Sequence, residues 1–114
     1  MIDVRLLSSE ANELVGFLMT GHADFDERGY DVVCASVSSV AYFAANTITD
    51  VMEVPARVAV SEDDEHPSFT LIVSDNDAAR CRDILKGFEL HIKSLAEQCP
   101  DYIKVNYLEV QENA

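Results

Sequence analysis

The sequence predicts an α+β domain in which a mainly antiparallel sheet packs against two helices. Five short segments read as strands, the first and last of them with alternating apolar and polar residues, and two longer segments repeat apolar residues at the helical period. These segments follow one another in the order β-β-α-β-β-α-β. A chain of 114 residues can bury a core without disulfides or a structural metal. We therefore expect a single domain over residues 1–114, built as a sandwich of a sheet and two helices.

The predicted strands form two hairpins and one last strand. Residues 2–7 and 14–19 flank a short polar turn, which predicts an opening hairpin. Residues 57–60 and 68–73 lie on either side of an acidic turn and predict the second hairpin. Residues 102–110 alternate again and predict the last strand.

The two predicted helices are bounded by capping residues and prolines. Asp31 is a good N-cap for the first helix, and Pro55 stops it. Its apolar residues cover more than one face, which predicts a helix largely enclosed in the core. Ser74 or Asp75 caps the second helix, whose apolar residues keep the 3.6-residue period until Pro100.

The charge of the chain favours some partners over others. Its 21 acidic and 8 basic residues give a formal net charge of −13, which repels nucleic acid and membrane surfaces and attracts basic proteins. The simpler alternative is that this acidity serves solubility alone. The longest apolar run, at 32–51, is interrupted by polar residues and predicts a core helix rather than a bilayer segment.

The cysteines and histidines indicate the cellular compartment of the protein and whether it binds a metal. Three cysteines without a C-x-x-C spacing predict free thiols in a reducing cytoplasm, and the first residues do not resemble a secretion signal. His22, His66 and His91 are too far apart in sequence to suggest zinc ligands. We expect neither a metal nor a cofactor.

Cys34 is the candidate nucleophile. With Asp31 as the N-cap, Cys34 is the third helical residue, where unpaired N–H groups and the helix dipole favour thiolate over thiol. His22 follows Gly21 at the start of a glycine-rich, acidic segment, 21–31, which predicts a mobile surface loop able to bring the imidazole to the thiol as a general base. The alternatives are a buried packing cysteine and a solvated loop histidine.

Two further residues are candidates for support. Asp31 is placed to orient the imidazole, although capping alone also explains it. Ser38 lies one helical turn beyond Cys34 and can donate a hydrogen bond to the substrate or bond back to its own helix. Cys81 and Cys99 fall on the apolar stripe of the second helix, away from its start, and are interpreted as packing residues.

The motif Gly-His-Ala at 21–23, followed by Gly29 and by Asp-Val-Val-Cys-Ala-Ser-Val-Ser at 31–38, resembles the bacterial ribosomal-processing cysteine proteases called Prp, or YsxB-like proteins. The resemblance extends over nearly the whole chain in length and element order. Ser36 stands where family members usually have alanine, and Cys99 where they often have tyrosine.

The resemblance implies that Cys34 is the nucleophile and His22 its base. It also implies homodimers that remove a short N-terminal extension from a large-subunit ribosomal protein by cutting after an aromatic residue. Such a substrate is basic, in keeping with the acidic chain. An adaptor that binds a basic ribosomal protein without cleaving it is the alternative. The resemblance assigns supporting roles to Asp31 and Ser38 and frames a movable loop with Gly21 and Gly29.

Overall fold

The computed structural model describes residues 1–21, 28–63 and 66–111, with the backbone alone at 28–31. Its strands and helices follow the order expected from the sequence, which confirms the α+β class. The elements are β1 (Ile2–Ser8), β2 (Leu14–Thr20), α1 (Arg28–Asn46), β3 (Ala56–Ser61), β4 (Ser68–Val73), α2 (Arg82–Gln98) and β5 (Ile103–Glu109).

The five strands form one sheet in the order β3-β4-β2-β1-β5. The pairs β1–β2, β2–β4 and β3–β4 are antiparallel, and β5 lies parallel to β1. Both predicted hairpins form, and the sheet is mainly antiparallel as expected. The parallel edge arises because α2 crosses over the sheet before the chain returns as β5.

Both helices cover the same face of the sheet. Phe17 of β2 stacks on Phe88 of α2 with ring centroids 4.3 Å apart. Phe69 of β4 shares the face of Phe17 and meets the ring of Tyr42 of α1 edge-on at 4.8 Å. The core between the layers includes these fully buried side chains: Phe17, Leu6, Ile48, Leu71, Leu85 and Ile92.

The segment Val32–Val51 is long and apolar enough to cross a membrane by length and composition alone. A core helix passes the same test. Val37, Ala41 and Ile48 of this segment are almost completely buried in the hydrophobic core between the sheet and the helices. Their spacing of four and seven residues places them on one helical face, as expected for a helix that packs against a core. The prediction that apolar residues enclose this helix on more than one face is wrong, because Val32, Phe43 and Val51 are exposed.

The end of α1 differs slightly from the prediction. The α-helical part ends at Asn46, and one π-helical turn follows over Thr47–Val51. At the end of this turn the Met52 N–H donates to the Thr47 carbonyl at 2.8 Å. Glu53 then adopts a positive φ of 57°, which is incompatible with continuing the helix toward Pro55. Helical structure therefore ends a few residues before the expected proline stop.

The start of α1 also differs, and this difference affects the site. The helix begins at Arg28, so Asp31 lies inside its first turn and is not the N-cap. Gly29, expected in a surface loop, is helical as well. An acidic residue is favoured both at the N-cap and in the first turn, so the preference for Asp31 did not fix the boundary.

The start of α2 is later than predicted. Ser74 precedes a 3₁₀ turn at Asp75–Asp77, and its hydroxyl donates to the Asp77 carboxylate at 3.2 Å. The α-helix begins only at Arg82, so Cys81 occupies its N-cap position. The prediction that Cys81 lies away from the helix start is wrong, because a sequence pattern does not distinguish a 3₁₀ turn from the first α-turn.

Candidate active site

A cleft of about 480 Å³ opens where one end of the sheet meets α1. Four strands contribute residues from the same end of the sheet, and α1 forms the opposite wall. Met19 and Phe69 are buried at the floor of this cleft, and Ile2 lies beside them. Glu62 and Asp63 lie at its edge in the turn after β3. The cleft therefore combines an apolar floor with an acidic rim.

Cys34 is half-buried and its side chain lines the cleft. Ser38 and Tyr42 line it as well, and the three residues are spaced four apart on α1. Residues four apart in a helix project from the same face. The α1 wall of the cleft is therefore a stripe of thiol, hydroxyl and phenol groups.

The position of Cys34 in α1 corrects one part of its predicted activation. Because α1 begins at Arg28, Cys34 lies in the second helical turn rather than at the third position. The field of the helix dipole falls off within the first turn, and unpaired N–H groups are confined to the first four residues. The helix start therefore gives Cys34 little help, and a nearby base becomes more important.

Cys81 shows that the start of a helix alone does not activate a thiol. Cys81 occupies the N-cap position of α2, yet its side chain is fully buried in the core. Burial raises the pKa of Cys81, and the charge of Asp77 raises it further. Cys99 is half-buried against the core at the other end of α2. The structure confirms that both are packing residues.

Gly21 lines the cleft immediately before the predicted base. Its φ is +98°, and a Cβ at this position would collide with the carbonyl oxygen of Met1. Its N–H donates to the Pro67 carbonyl at 3.3 Å. His22 itself lies outside the described residues, as does the rest of 22–27, so the expected loop lies largely outside them too.

Replacing Gly21 with alanine should destabilise the fold by about 1–3 kcal/mol, because the side chain is strained at positive φ and crowds the start of β1. Chemical denaturation of the purified variant measures this change. Gly87→Ala is the matched control: nothing lies within 4 Å of a Cβ there, and alanine favours the α2 conformation. Equal stability of Gly21→Ala and the wild type would contradict the positive φ and the close contact with Met1 described for Gly21.

Ser36 and Ser38 of α1 differ in whether the hydroxyl bonds back to the helix or is left for a ligand. Ser36 donates to the Val32 carbonyl at 2.9 Å, so this serine bonds back to the helix. Ser38 is half-buried, and its hydroxyl has no hydrogen bond to any part of the chain that the structure describes. Its hydroxyl is therefore available to a ligand in the cleft. The side chain of Asp31 lies outside the described atoms.

The sequence analysis missed Tyr42. It lies two turns beyond Cys34 on the same helical face, and this i, i+8 spacing was the signal that marks it as a cleft residue.

Across residues 1–21, 28–63 and 66–111, no group of three or more His, Cys, Asp or Glu side chains is arranged to hold a metal ion.

Comparison with known proteins identifies the family. The model of the family "Cysteine protease Prp" matches residues 1–104. The ribosomal processing cysteine protease Prp of Bacillus subtilis is 27% identical over 107 residues, which cover 92% of this chain and 96% of that protein.

Two crystal structures of the ribosomal processing protease Prp from S. aureus share the fold. The complex with a substrate peptide has a TM-score of 0.76 and 26% identity, covering 95% of this chain and all of that one. The complex with a covalently linked product peptide has a TM-score of 0.73 and 27% identity, with the same coverage. With a family model that matches residues 1–104 and a fold shared with these two structures, the chain belongs to the Prp family of cysteine proteases.

Proposed function

We propose that this protein is an endopeptidase that removes a short N-terminal extension from a large-subunit ribosomal protein. One observation supports this proposal most strongly: of the three cysteines, Cys34 is the one whose side chain lines the cleft. The similar S. aureus protease forms complexes with a substrate peptide and with a covalently linked product peptide. A thiol at the edge of a peptide-sized cleft fits the same chemistry.

In the proposed mechanism His22 removes the proton from the Cys34 thiol, and the thiolate attacks the scissile carbonyl carbon. The tetrahedral intermediate collapses to a thioester as His22 returns the proton to the leaving amine. Water, deprotonated by His22, then hydrolyses the thioester and regenerates the thiol. Gly21, which is joined to His22 by a peptide bond, lines the cleft, and this connection supports the pairing.

The remaining predicted residues have supporting roles in this proposal. Asp31 orients the His22 imidazole, and the Ser38 hydroxyl donates a hydrogen bond to the bound peptide. Gly21 and Gly29 delimit the segment that closes over the substrate. Gly29 is helical, so in this proposal it marks the helical end of that segment.

Charge supports a basic substrate. The net charge of −13 attracts a cationic ribosomal protein and speeds its encounter with the enzyme. Glu62 and Asp63 place part of this negative charge at the rim of the cleft. We expect the association rate to fall with added salt, as for other electrostatically steered encounters.

We further propose that the protein acts as a homodimer in the cytoplasm. All three cysteines are free, as suits a reducing compartment. The sheet face opposite the helices presents half-buried Leu18 and Ile72 and exposed Leu108, an apolar surface that a second copy would cover.

The test uses the large-subunit ribosomal protein encoded in the same genome, produced with its N-terminal extension. We expect incubation with the enzyme to lower its mass by the mass of the extension, and a version that begins at the mature residue to stay unchanged. Intact-protein mass spectrometry measures both. Binding of the extended protein without any loss of mass would contradict the proposal and favour the adaptor.

A further inference from the structure

We propose that Tyr42 is a specificity-determining residue that forms an apolar subsite for a substrate side chain remote from the scissile bond. This inference rests on the proposed protease function. It concerns the end of the cleft away from Cys34, and it assigns to that end an aliphatic or aromatic side chain of the substrate.

The placement of Tyr42 follows from the helix. Cys34, Ser38 and Tyr42 form one stripe on α1, and all three line the cleft. With a rise of about 1.5 Å per residue, the eight-residue separation places Tyr42 about 12 Å along the helix from Cys34. An extended peptide advances about 3.3 Å per residue, so Tyr42 lies about three to four residues from the scissile bond.

The Tyr42 ring is held in place by the core. Its ring meets the Phe69 ring edge-on at 4.8 Å, and Phe69 lies 5.6 Å from the Phe17 ring. Phe17 in turn stacks on Phe88 of α2 at 4.3 Å. Phe17, Phe69 and Phe88 are buried, whereas Tyr42 remains 43% exposed. The exposed ring thus stands at the end of an aromatic row anchored in the core, which fixes one wall of the cleft.

Val60 supplies the opposite wall. It pairs with Phe69 across β3 and β4 and lines the same cleft, yet 44% of its surface is exposed. Tyr42, Phe69 and Val60 therefore leave an apolar surface uncovered at the end of the cleft. A bound apolar side chain would remove that surface from water, which is favourable, whereas a polar side chain would lose its hydration there.

The test compares two peptides of the extension that carry leucine or serine at a single position, with each position varied in turn. In the wild type, we expect leucine to raise kcat/KM about tenfold over serine at one position about three to four residues from the cleavage point. In Tyr42→Ala this ratio should fall to about one, mainly through KM, because the lost contact is made equally in the bound and transition states.

Two variants make the result specific. Tyr42→Phe keeps the ring and should keep the leucine preference. Phe43→Ala removes the neighbouring aromatic residue, which is 65% exposed and does not line the cleft, and should keep it too. A Tyr42→Ala enzyme with the wild-type ratio, or a Phe43→Ala enzyme with the same loss, would overturn the inference.

The leucine preference is also measured as the ratio of the affinities of the two peptides, by fluorescence anisotropy in a Cys34→Ala background. This arm separates the two claims. Absence of cleavage by the wild type would contradict the proposed function, whereas a leucine preference in binding that disappears with Tyr42→Ala would still support the subsite. Equal affinity for both peptides at every position would overturn the subsite, whether or not the enzyme cleaves them.

Discussion

Replacing Cys34 with alanine is expected to lower kcat/KM for the extension peptide by at least about 10⁴-fold, as for other essential nucleophiles. The methyl group of alanine offers no electron pair to the scissile carbonyl, so the thioester does not form. The cleft is otherwise unchanged, because Cys34 is only half-buried and contributes little to the core. Cleavage rates measured by chromatography of the products give the ratio.

Cys99→Ala is the control, because Cys99 is also half-buried but lies at the end of α2, outside the cleft. It should cleave at the wild-type rate. Cys34→Ala should still bind the peptide, which separates loss of chemistry from loss of folding. Retention of more than a tenth of the activity in Cys34→Ala would show that another group attacks the peptide bond.

Replacing His22 with alanine is expected to lower kcat/KM by about 10²–10⁴-fold, the usual contribution of a general acid and base. We expect the upper part of this range. Since α1 begins at Arg28, Cys34 lies beyond the first turn and gains little from the helix dipole. In this mechanism the imidazole is therefore the main group that removes the thiol proton, and it also protonates the leaving amine.

His91→Ala is the matched control, because His91 is exposed on α2 and is not part of the cleft. Steady-state kinetics from neutral to alkaline pH add a second readout. High pH ionises thiols without a base, so part of the loss in His22→Ala should recover as the pH rises. Equal losses in the two histidine variants, or a loss that does not change with pH, would argue against His22 as the base.

The strands were predictable because alternation and short apolar runs between turn residues are local properties of the sequence. Residues 2–7 alternate, and β1 covers Ile2–Ser8. The helix boundaries were less predictable, since an aspartate such as Asp31 is favourable at several positions near a helix start. The 3₁₀ turn at Asp75–Asp77 misplaced the second helix for a related reason, because short turns of either type use the same polar residues.

The shared helical face of Cys34 and Ser38 was predictable from the sequence, whereas its position relative to the helix start and the sheet was not. A cysteine followed by a serine one turn later indicated a functional helical face, and both residues line the cleft. The predicted distance of Cys34 and Ser38 from the start of α1 was wrong, because it assumed that the helix begins after Asp31. Tyr42 was missed because its position in the cleft depends on contact with Phe69, a residue of a strand far away in sequence, and such contacts exist only after folding.

The most direct test of the account is covalent labelling with an extension peptide in which a chloromethyl ketone replaces the scissile amide. The account predicts one peptide per chain, attached to the sulfur of Cys34, with Cys81 and Cys99 unmodified in peptide mapping by mass spectrometry. Attachment to either of the other cysteines, or no attachment by an enzyme that cleaves the parent peptide, would contradict it.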